Sequence, residues 1–242
     1  MNLTLGYLYP DLLNLYGDRG NLCCLQKRLN WRGIDTKLLS LAPGQPIDFS
    51  QLDLLLFGGG SDREMELACR TLPALRPDLK AWIEDGGVLL AVCGGYQLLG
   101  ACYPPGKSWD TLRILDIYTQ WEPRRLVQDT VIDSPFFSSP ITGFENHAGR
   151  TYIGDYAPLG QVRSGYGNTG SHGYEGLLYK NLLATYLHGP LLPKNPEICD
   201  YLLTRALERK YGNGIRLKPL SDEPEHQANA YMVRRSRRRF PR

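Results

Sequence analysis

The sequence of 242 residues has no apolar run approaching the roughly 20 residues that a membrane-spanning helix needs, so we predict no transmembrane segment. Its first residues show no basic region ahead of an apolar stretch, which predicts a protein without a signal peptide and with a cytoplasmic location. There are only six cysteines, and none forms a C-x-x-C pair or falls at zinc-ligand spacing with the four histidines. We therefore expect neither a disulfide scaffold nor a bound metal.

Positive charge is concentrated at one end of the chain. The formal net charge of +3 becomes −3 when the six arginines of the last nine residues are left out, namely Arg234, Arg235, Arg237, Arg238, Arg239 and Arg242. Because aromatic residues do not alternate with these arginines, nucleic-acid binding is not expected to define the function. We predict a main domain over residues 1–215 and a C-terminal extension over residues 216–242 with a disordered, arginine-rich tail.

Short apolar runs alternate with helical patterns in the first hundred residues. Leu52 to Phe57 and Val88 to Val92 are continuous apolar runs followed by glycines or cysteine, which is typical of parallel strands buried on both faces. The predicted fold class is α/β, a three-layer, doubly wound and mostly parallel sheet with helices on both faces. Residues 103–176 are richer in glycine, proline and aromatics, and predict shorter strands at Ile114 to Tyr118 and Leu126 to Ile132.

Cys93 lies where a strand pattern gives way to a helix pattern, between the small residues Ala91 and Gly95. Small residues two before and two after a nucleophile permit the sharp strand-to-helix turn of a hydrolase elbow. A helix N-terminus behind the thiol is expected to lower its pKa. Acyl transfer also needs N–H donors for an oxyanion, and Gly94 and the Gly58–Gly60 triplet offer them at the same sheet edge.

A general base must reach Cys93 from the same edge of the sheet. His188 ends the last apolar run, Leu182 to Leu187, and is the histidine that the strand order brings there. We therefore predict Cys93 as nucleophile and His188 as its base, because such partners meet in the fold and not along the chain.

The segment Val92-Cys93-Gly94-Gly95-Tyr96-Gln97 resembles the elbow of the class I (triad) glutamine amidotransferases. The resemblance implies hydrolysis of L-glutamine through a thioester on Cys93, with Gln97 helping to hold the substrate and Gly59 or Gly60 joining Gly94 in the oxyanion hole. The family pattern has a glutamate two residues after the histidine, where this chain has Pro190. A partner subunit could supply the missing third group, or His188 could act in a dyad.

The string from Thr185 to Pro190 is similar to the cobyric acid synthase-like branch, in which that glutamate is absent. Nearly the whole chain resembles the glutaminase subunits in this branch that serve cell-wall synthesis. That implies a Mur-ligase-like partner in a heterodimer, holding ATP and Mg, which amidates the α-carboxyl of D-glutamate in the lipid II stem. The lipid-linked substrate would bring the pair to the inner membrane surface. No cofactor is expected in this chain, which has no P-loop.

Two further side chains follow from the same resemblance. Arg125 falls where an arginine of the subfamily would meet the substrate carboxylate, whereas His147 is predicted to be structural or interfacial. Three alternatives stay open: an unfused cobyric-type glutaminase for corrinoid amidation, a γ-glutamyl cysteine hydrolase on the same fold, and a binding homologue without turnover.

Overall fold

A central six-stranded sheet organises the computed structural model, which describes residues 1–171 and 173–239, the last three as backbone only. Its strands lie in the order β10-β11-β4-β3-β1-β2, and all neighbours are parallel except β10 and β11. The strands are β1 (Asn2–Leu8), β2 (Asp35–Leu41), β3 (Leu54–Phe57), β4 (Val88–Val92), β10 (Leu177–Tyr179) and β11 (Leu182–Thr185). The order 2-1-3-4 of the first strands places a topological switch between β1 and β3.

Burial explains why these segments form the centre of the sheet. Every residue of β3, β4 and β11 is buried, whereas the edge strand β2 alternates between exposed and half-buried positions. Strands covered on both faces need continuous apolar runs, and an edge strand does not. The predicted α/β class with a mostly parallel, doubly wound sheet is confirmed.

A second, mostly antiparallel sheet is built from the middle of the chain, where the sequence predicted only short strands. It orders β5, β6, β8 and β9, and β7 pairs with β6. The strands are β5 (Ala101–Tyr103), β6 (Tyr118–Asp133), β7 (Ile141–Tyr152), β8 (Gly160–Ser164) and β9 (Tyr174–Glu175). The predicted strand at Leu126 to Ile132 is part of β6, but Ile114 to Ile117 is irregular. Ile114, Leu115 and Ile117 are buried without pairing in a sheet, and the N–H groups of Ile114 and Leu115 both donate to the carbonyl of Leu99.

Six α-helices complete the described part of the chain: α1 (Arg19–Asn30), α2 (Asp62–Ala68), α3 (Arg76–Glu84), α4 (Gly94–Leu98), α5 (Pro196–Tyr211) and α6 (Glu223–Arg239). Helices α1 and α5 contact each other, and α5 also contacts β3 and β4. None of these helices combines the length and hydropathy that crossing a bilayer requires.

The C-terminal extension differs from its prediction. Residues 223–239 form helix α6, so the expectation of a disordered arginine-rich tail is wrong for its residues 234–239, whereas Arg242 lies outside the described residues. Polar contacts hold this helix in place. The Asn229 amide donates to the carbonyls of Pro140 and Lys194, and Arg235 pairs with Asp129 at 3.0 Å. Such contacts need three-dimensional neighbours, which the arginine-rich composition does not reveal.

Candidate active site

Cys93 lies at a sharp turn between β4 and α4. Its φ of 52° and ψ of −106° are unusual for a residue with a Cβ atom, and backbone conformations of this kind concentrate at functional sites. The N–H of Cys93 donates to the carbonyl of Thr185 at 2.8 Å, which ties the turn to β11. The geometry is that of the nucleophile elbow that the sequence predicted.

Glycines allow the loop after β3 to lie directly against this turn. A Cβ atom at Gly95 would stand 2.3 Å from the carbonyl oxygen of Phe57, and one at Gly59 would stand 3.0 Å from the Cβ of Cys93. Only residues without side chains permit such backbone contact. The Gly58–Gly60 triplet and the elbow therefore fit together as one unit.

Residues 14–18, which we call the cap segment, hold both backbone polar groups of Gly59. The N–H of Gly59 donates to Oδ2 of Asp18 at 2.8 Å, and the carbonyl of Gly59 accepts from the N–H of Leu15 at 2.8 Å. The structure therefore contradicts the prediction of Gly59 as an oxyanion donor, because its N–H is already engaged. The Gly59 carbonyl and the Gly60 N–H belong to the same trans peptide, in which they point in opposite directions. The Gly60 N–H therefore faces away from Leu15. The donors that fit the prediction are Gly60 and Gly94.

Burial dominates the acidity of the thiol. Cys93 is only 7% exposed, and its desolvation together with the nearby Asp18 carboxylate raises its pKa to about 12. The N–H of Gly94 and the charge of Arg125 act in the opposite direction and are outweighed. The expectation that the helix N-terminus lowers this pKa is therefore wrong for the chain alone. Helix α4 has only five residues, and the cost of burying a thiolate exceeds its effect.

His188 follows β11 and joins the two sheets. Its N–H donates to the carbonyl of Phe144 at 3.0 Å, and the N–H of Phe144 donates back to the carbonyl of His188 at 3.1 Å. The side chain is fully buried, and neither ring nitrogen has a hydrogen-bond partner among the described residues. Desolvation first, and then the charges of His147, Lys194 and Arg125, lower its pKa to about 3. Both Cys93 and His188 are therefore neutral at pH 7.

No carboxylate of the described chain accompanies this histidine. Pro190 stands where the family pattern has a glutamate, and its ring packs near Gly20, where a Cβ atom would be only 2.7 Å away. The structure thus has no third group of a triad within the described residues.

A cavity of about 490 Å³ opens beside the elbow. The predicted residues Gly60, Cys93, Gln97 and Arg125 all line it, whereas His188 does not. Gln97 is 3% exposed, its Nε2 donates to the Tyr186 hydroxyl at 3.0 Å, and its Oε1 has no partner within the part of the chain that the structure describes. A buried amide oxygen without a donor fits a contact to a ligand in the cavity.

Arg125 is exposed and is oriented by a single neighbour. Its Nε donates to Oδ1 of Asn146 at 3.0 Å and its Nη2 to the Asn146 carbonyl at 3.2 Å. No ion pair with an acidic side chain joins Arg125 in the described structure, so its charge is available to an anionic ligand. His147 is buried, stacks on Tyr186 at 3.6 Å and shares a short hydrogen bond of 2.7 Å with the Gly149 carbonyl. Its ring is packed as a structural residue would be, although it also lines the cavity.

Sequence reasoning did not assign a role to Tyr16 or Asp18. Asp18 is 1% exposed, and desolvation raises the pKa of its carboxyl to about 7. The ring of Tyr16 lies 4.5 Å from the ring of His188 between centroids. The only sequence signal is the polar, glycine-containing string from Tyr16 to Asn21, which interrupts a helical apolar pattern. Across the described residues, no group of three or more His, Cys, Asp or Glu side chains could hold a metal ion.

Residues 4–196 match the model of the CobB/CobQ-like glutamine amidotransferase domain. The chain is 46% identical to the lipid II isoglutaminyl synthase (glutamine-hydrolyzing) subunit GatD of Staphylococcus aureus, over 98% of this chain and 97% of that one. It is 37% identical to the GatD subunit of Streptococcus pneumoniae, over 91% and 86%. A cobyric acid synthase of Sphingopyxis alaskensis is 31% identical over 70% of this chain and 34% of its own length.

Solved structures agree on the fold. A glutamine amidotransferase of Thermotoga maritima superposes with a TM-score of 0.53, covering 95% of this chain and 93% of that one at 11% identity. A second glutamine amidotransferase gives a TM-score of 0.51 at 17% identity, covering 84% and 98%. Identities this low support the architecture alone.

Proposed function

The chain belongs to the CobB/CobQ-like glutamine amidotransferase family, and from that membership we propose that it is the glutaminase subunit of a two-protein amidotransferase. It hydrolyses L-glutamine through a thioester on Cys93 and delivers ammonia to a Mur-ligase-like partner. The partner uses ATP and Mg to amidate the α-carboxyl of D-glutamate in the lipid II stem. We place the heterodimer in the cytoplasm, at the membrane surface that presents its lipid-linked substrate.

The observation that carries this proposal is the strained Cys93 elbow, packed against a glycine loop in a cavity that also contains Gln97 and Arg125. The likeness to two subunits named for lipid II and glutamine hydrolysis, one of them matched over 98% of this chain, supports the acceptor and the partner.

The chemistry follows from the two neutral groups. Cys93 Sγ attacks the side-chain carbonyl carbon of glutamine while its proton passes to His188, and the N–H groups of Gly60 and Gly94 donate to the developing oxyanion. The tetrahedral intermediate collapses as His188 returns the proton to the leaving nitrogen, which departs as ammonia. Water, deprotonated by His188, then attacks the thioester, and glutamate leaves as Cys93 regains a proton.

The substrate's fixed groups are assigned to the other cavity residues. Arg125 pairs with the α-carboxylate, for which a guanidinium offers two parallel N–H donors. The unpartnered Oε1 of Gln97 accepts from a substrate N–H. Because none of the described residues places a carboxylate beside the imidazolium that forms on His188, we expect turnover to depend on the partner.

The test is glutamate release from L-glutamine by the full chain, alone and with its partner, for the wild type and for Cys93→Ala. Cys69→Ala is the matched control, since Cys69 is buried but does not line the cavity. We expect release by the wild type and by Cys69→Ala, at least a hundredfold more with the partner present than without it, and none above background for Cys93→Ala. A wild type that releases no more than Cys93→Ala with the partner present would overturn the proposal.

The cobyric acid synthase relatives favour one alternative acceptor, a corrinoid carboxylate. The two candidates differ in the amidated product and not in the glutaminase half-reaction. Mass spectrometry of lipid II and of a corrinoid acid, each incubated with the heterodimer, ATP and amide-¹⁵N glutamine, separates them by which one gains the label.

A further inference from the structure

We propose that Tyr16 is a positioning residue that caps the general base and connects it, through Asn146, to the arginine that binds substrate. This inference rests on the proposed function, because it concerns the same Cys93–His188 site. It assigns a role to the cap segment, which neither the sequence nor the family resemblance supplied.

The first step is that Tyr16 lies against the ring of His188 at the edge of the cavity. The Tyr16 side chain lines the cavity and is 40% exposed, whereas His188 is fully buried and does not line it. The Tyr16 and His188 rings lie 4.5 Å apart with a tilt of 38°, Phe144 meets the imidazole edge-on at 5.7 Å, and Tyr16 and Phe144 contact each other at 6.4 Å. Two aromatic rings therefore contact the imidazole and restrict its plane, and neither ring nitrogen has a partner among the described residues.

The second step is that Tyr16 is held there against its backbone preference. Its φ of 57° and ψ of 24° lie in the left-handed region, which is unfavourable for a residue with a Cβ atom. The neighbours on either side supply the restraint. Leu15 donates its N–H to the Gly59 carbonyl, and Asp18 accepts the Gly59 N–H. The cap segment therefore contacts His188 on one side and, on the other, the Gly58–Gly60 triplet, which we call the oxyanion loop.

The third step is the connection to substrate. The Tyr16 hydroxyl accepts from Nδ2 of Asn146 at 2.7 Å, and Oδ1 of the same amide accepts from Nε of Arg125 at 3.0 Å. One amide thus orients both the ring over the base and the guanidinium over the cavity. An α-carboxylate bound at Arg125 holds the guanidinium in place. The guanidinium then holds the Asn146 amide, and the amide holds the Tyr16 ring over His188. Substrate binding and this placement of the Tyr16 ring therefore stabilise each other.

Two substitutions separate the ring from the hydroxyl. Tyr16→Phe keeps the ring over His188 but loses the bond to Asn146, so we expect kcat within about twofold of the wild type and KM for glutamine raised several fold. Tyr16→Ala removes the ring and admits water, so we expect kcat to fall at least tenfold and the pKa of His188 to rise from about 3 towards its ordinary 6.5.

The pH profile is the readout that a merely structural role would not move. The base acts as neutral imidazole, so a pKa near 6.5 makes kcat/KM drop by up to about tenfold between pH 7.5 and pH 5.5, whereas a pKa near 3 leaves it flat. Among the described residues, the charges of His147, Lys194 and Arg125 act on His188, and Asp18 and Arg19 stand at the end of the cap segment. Both variants keep all of these groups and Cys93. A steep acid limb is therefore expected in Tyr16→Ala and not in Tyr16→Phe. The same profile in both variants would overturn the proposal.

A second measurement needs neither turnover nor the alanine variant. Diethyl pyrocarbonate acylates accessible neutral imidazoles, and His226 is exposed on helix α6 as an internal reference. In the full wild-type chain we expect His188 to react at least tenfold more slowly than His226, as followed by peptide mass spectrometry. Equal rates would contradict the cap. This measurement does not depend on glutamate release, so it can contradict the role of Tyr16 while the proposed function stands. The proposed function is overturned only if the wild type releases no more glutamate than Cys93→Ala.

Discussion

At Asp18, burial and hydrogen bonding oppose each other. The carboxyl accepts a hydrogen bond from the Gly59 N–H, which favours its charged form, but it is 1% exposed and no described residue bonds to its Oδ1. Desolvation is the larger effect and raises the pKa to about 7. The oxyanion loop is thus anchored by a group that changes charge near neutral pH.

This shift fixes the sign of a stability prediction for Asp18→Asn. The carboxyl titrates at 3.8 when unfolded and at about 7 when folded, so between these values the folded state binds the extra proton and stability falls as pH rises. An amide retains an oxygen for Gly59 and never ionises. From pH 5 to pH 8 we expect the stability of the variant relative to the wild type to increase by about 3 kcal/mol, at about 1.4 kcal/mol per pKa unit.

Urea unfolding at the two pH values measures that difference. Asp11→Asn is the matched control, since Asp11 is exposed at the start of the same loop region and its substitution is expected to give the same small effect at both values. If the stability of Asp18→Asn relative to the wild type stays constant or declines from pH 5 to pH 8, burial does not raise the pKa of the Asp18 carboxyl.

The sequence reveals residues whose local context is diagnostic and misses those whose role depends on distant neighbours. Cys93 could be predicted because small residues flank it at fixed spacing. Gly59 was assigned a role that Asp18 prevents, since the bond joins residues 41 positions apart. Tyr16 carries no local sign that its ring will reach His188.

Among the elements, the turn from β4 to α4 depends on the end of β3. A Cβ atom at Gly95 would lie 2.3 Å from the Phe57 carbonyl oxygen and 2.9 Å from that of Gly58, both rigid backbone atoms. We expect Gly95→Ala to destabilise the fold by about 3 kcal/mol, the upper range for overpacking, and to reduce glutamate release by displacing the oxyanion loop. Gly173→Ala, whose Cβ would meet only the Ser171 hydroxyl at 3.7 Å, should change the unfolding midpoint little. Equal midpoints for the two variants would argue against the close fit.

Elements whose burial follows a simple period were predictable, whereas the first half of β6, before Leu126, was not. Its sixteen residues include Glu122-Pro123-Arg124-Arg125, and the pairing with β7 shifts register between Trp121 and Leu126. A bulge of this kind accommodates proline and breaks the alternation that identifies a strand. Conversely, the apolar residues from Ile114 to Ile117 are buried without strand pairing, because burial alone does not select a backbone conformation.

Asn229 anchors helix α6 to the rest of the fold. Asn229 is 7% exposed, and its Nδ2 lies within 3.2 Å of three acceptors, the carbonyls of Pro140 and Lys194 and Oδ1 of Asn195. Replacing it by alanine leaves buried acceptors unpaired, so we expect a loss of about 2 kcal/mol in urea unfolding. Gln227→Ala on the exposed side of the same helix should stay within about 0.5 kcal/mol of the wild type. A loss at Gln227 as large as that at Asn229 would contradict this account.

On the scale of the whole molecule, the two sheets and the C-terminal extension share their attachments near the site. His188 and Phe144 join the sheets through two backbone hydrogen bonds. Helix α6 contacts β6, β7 and the short helix Leu192–Lys194 that follows the His188 loop. The boundary predicted at residue 215 therefore separates segments that are in contact in the fold.

Removing residues 216–242 tests whether the extension is part of the folded unit. Arg28 is 1% exposed and binds both Asp200 and Asp222, so truncation removes one counterion of a buried guanidinium and leaves Asp200 to serve Arg28 and Arg32. Truncation also removes the contacts of Asn229. We therefore expect the unfolding free energy of the 1–215 chain to fall by several kcal/mol, since breaking a buried ion pair alone costs about 3–5 kcal/mol. Asp222→Asn in the full chain isolates the ionic part and should show a smaller loss. If the truncated chain unfolds at the same urea concentration as the full chain, the extension is an independent appendage and helix α6 contributes nothing to the stability of the site.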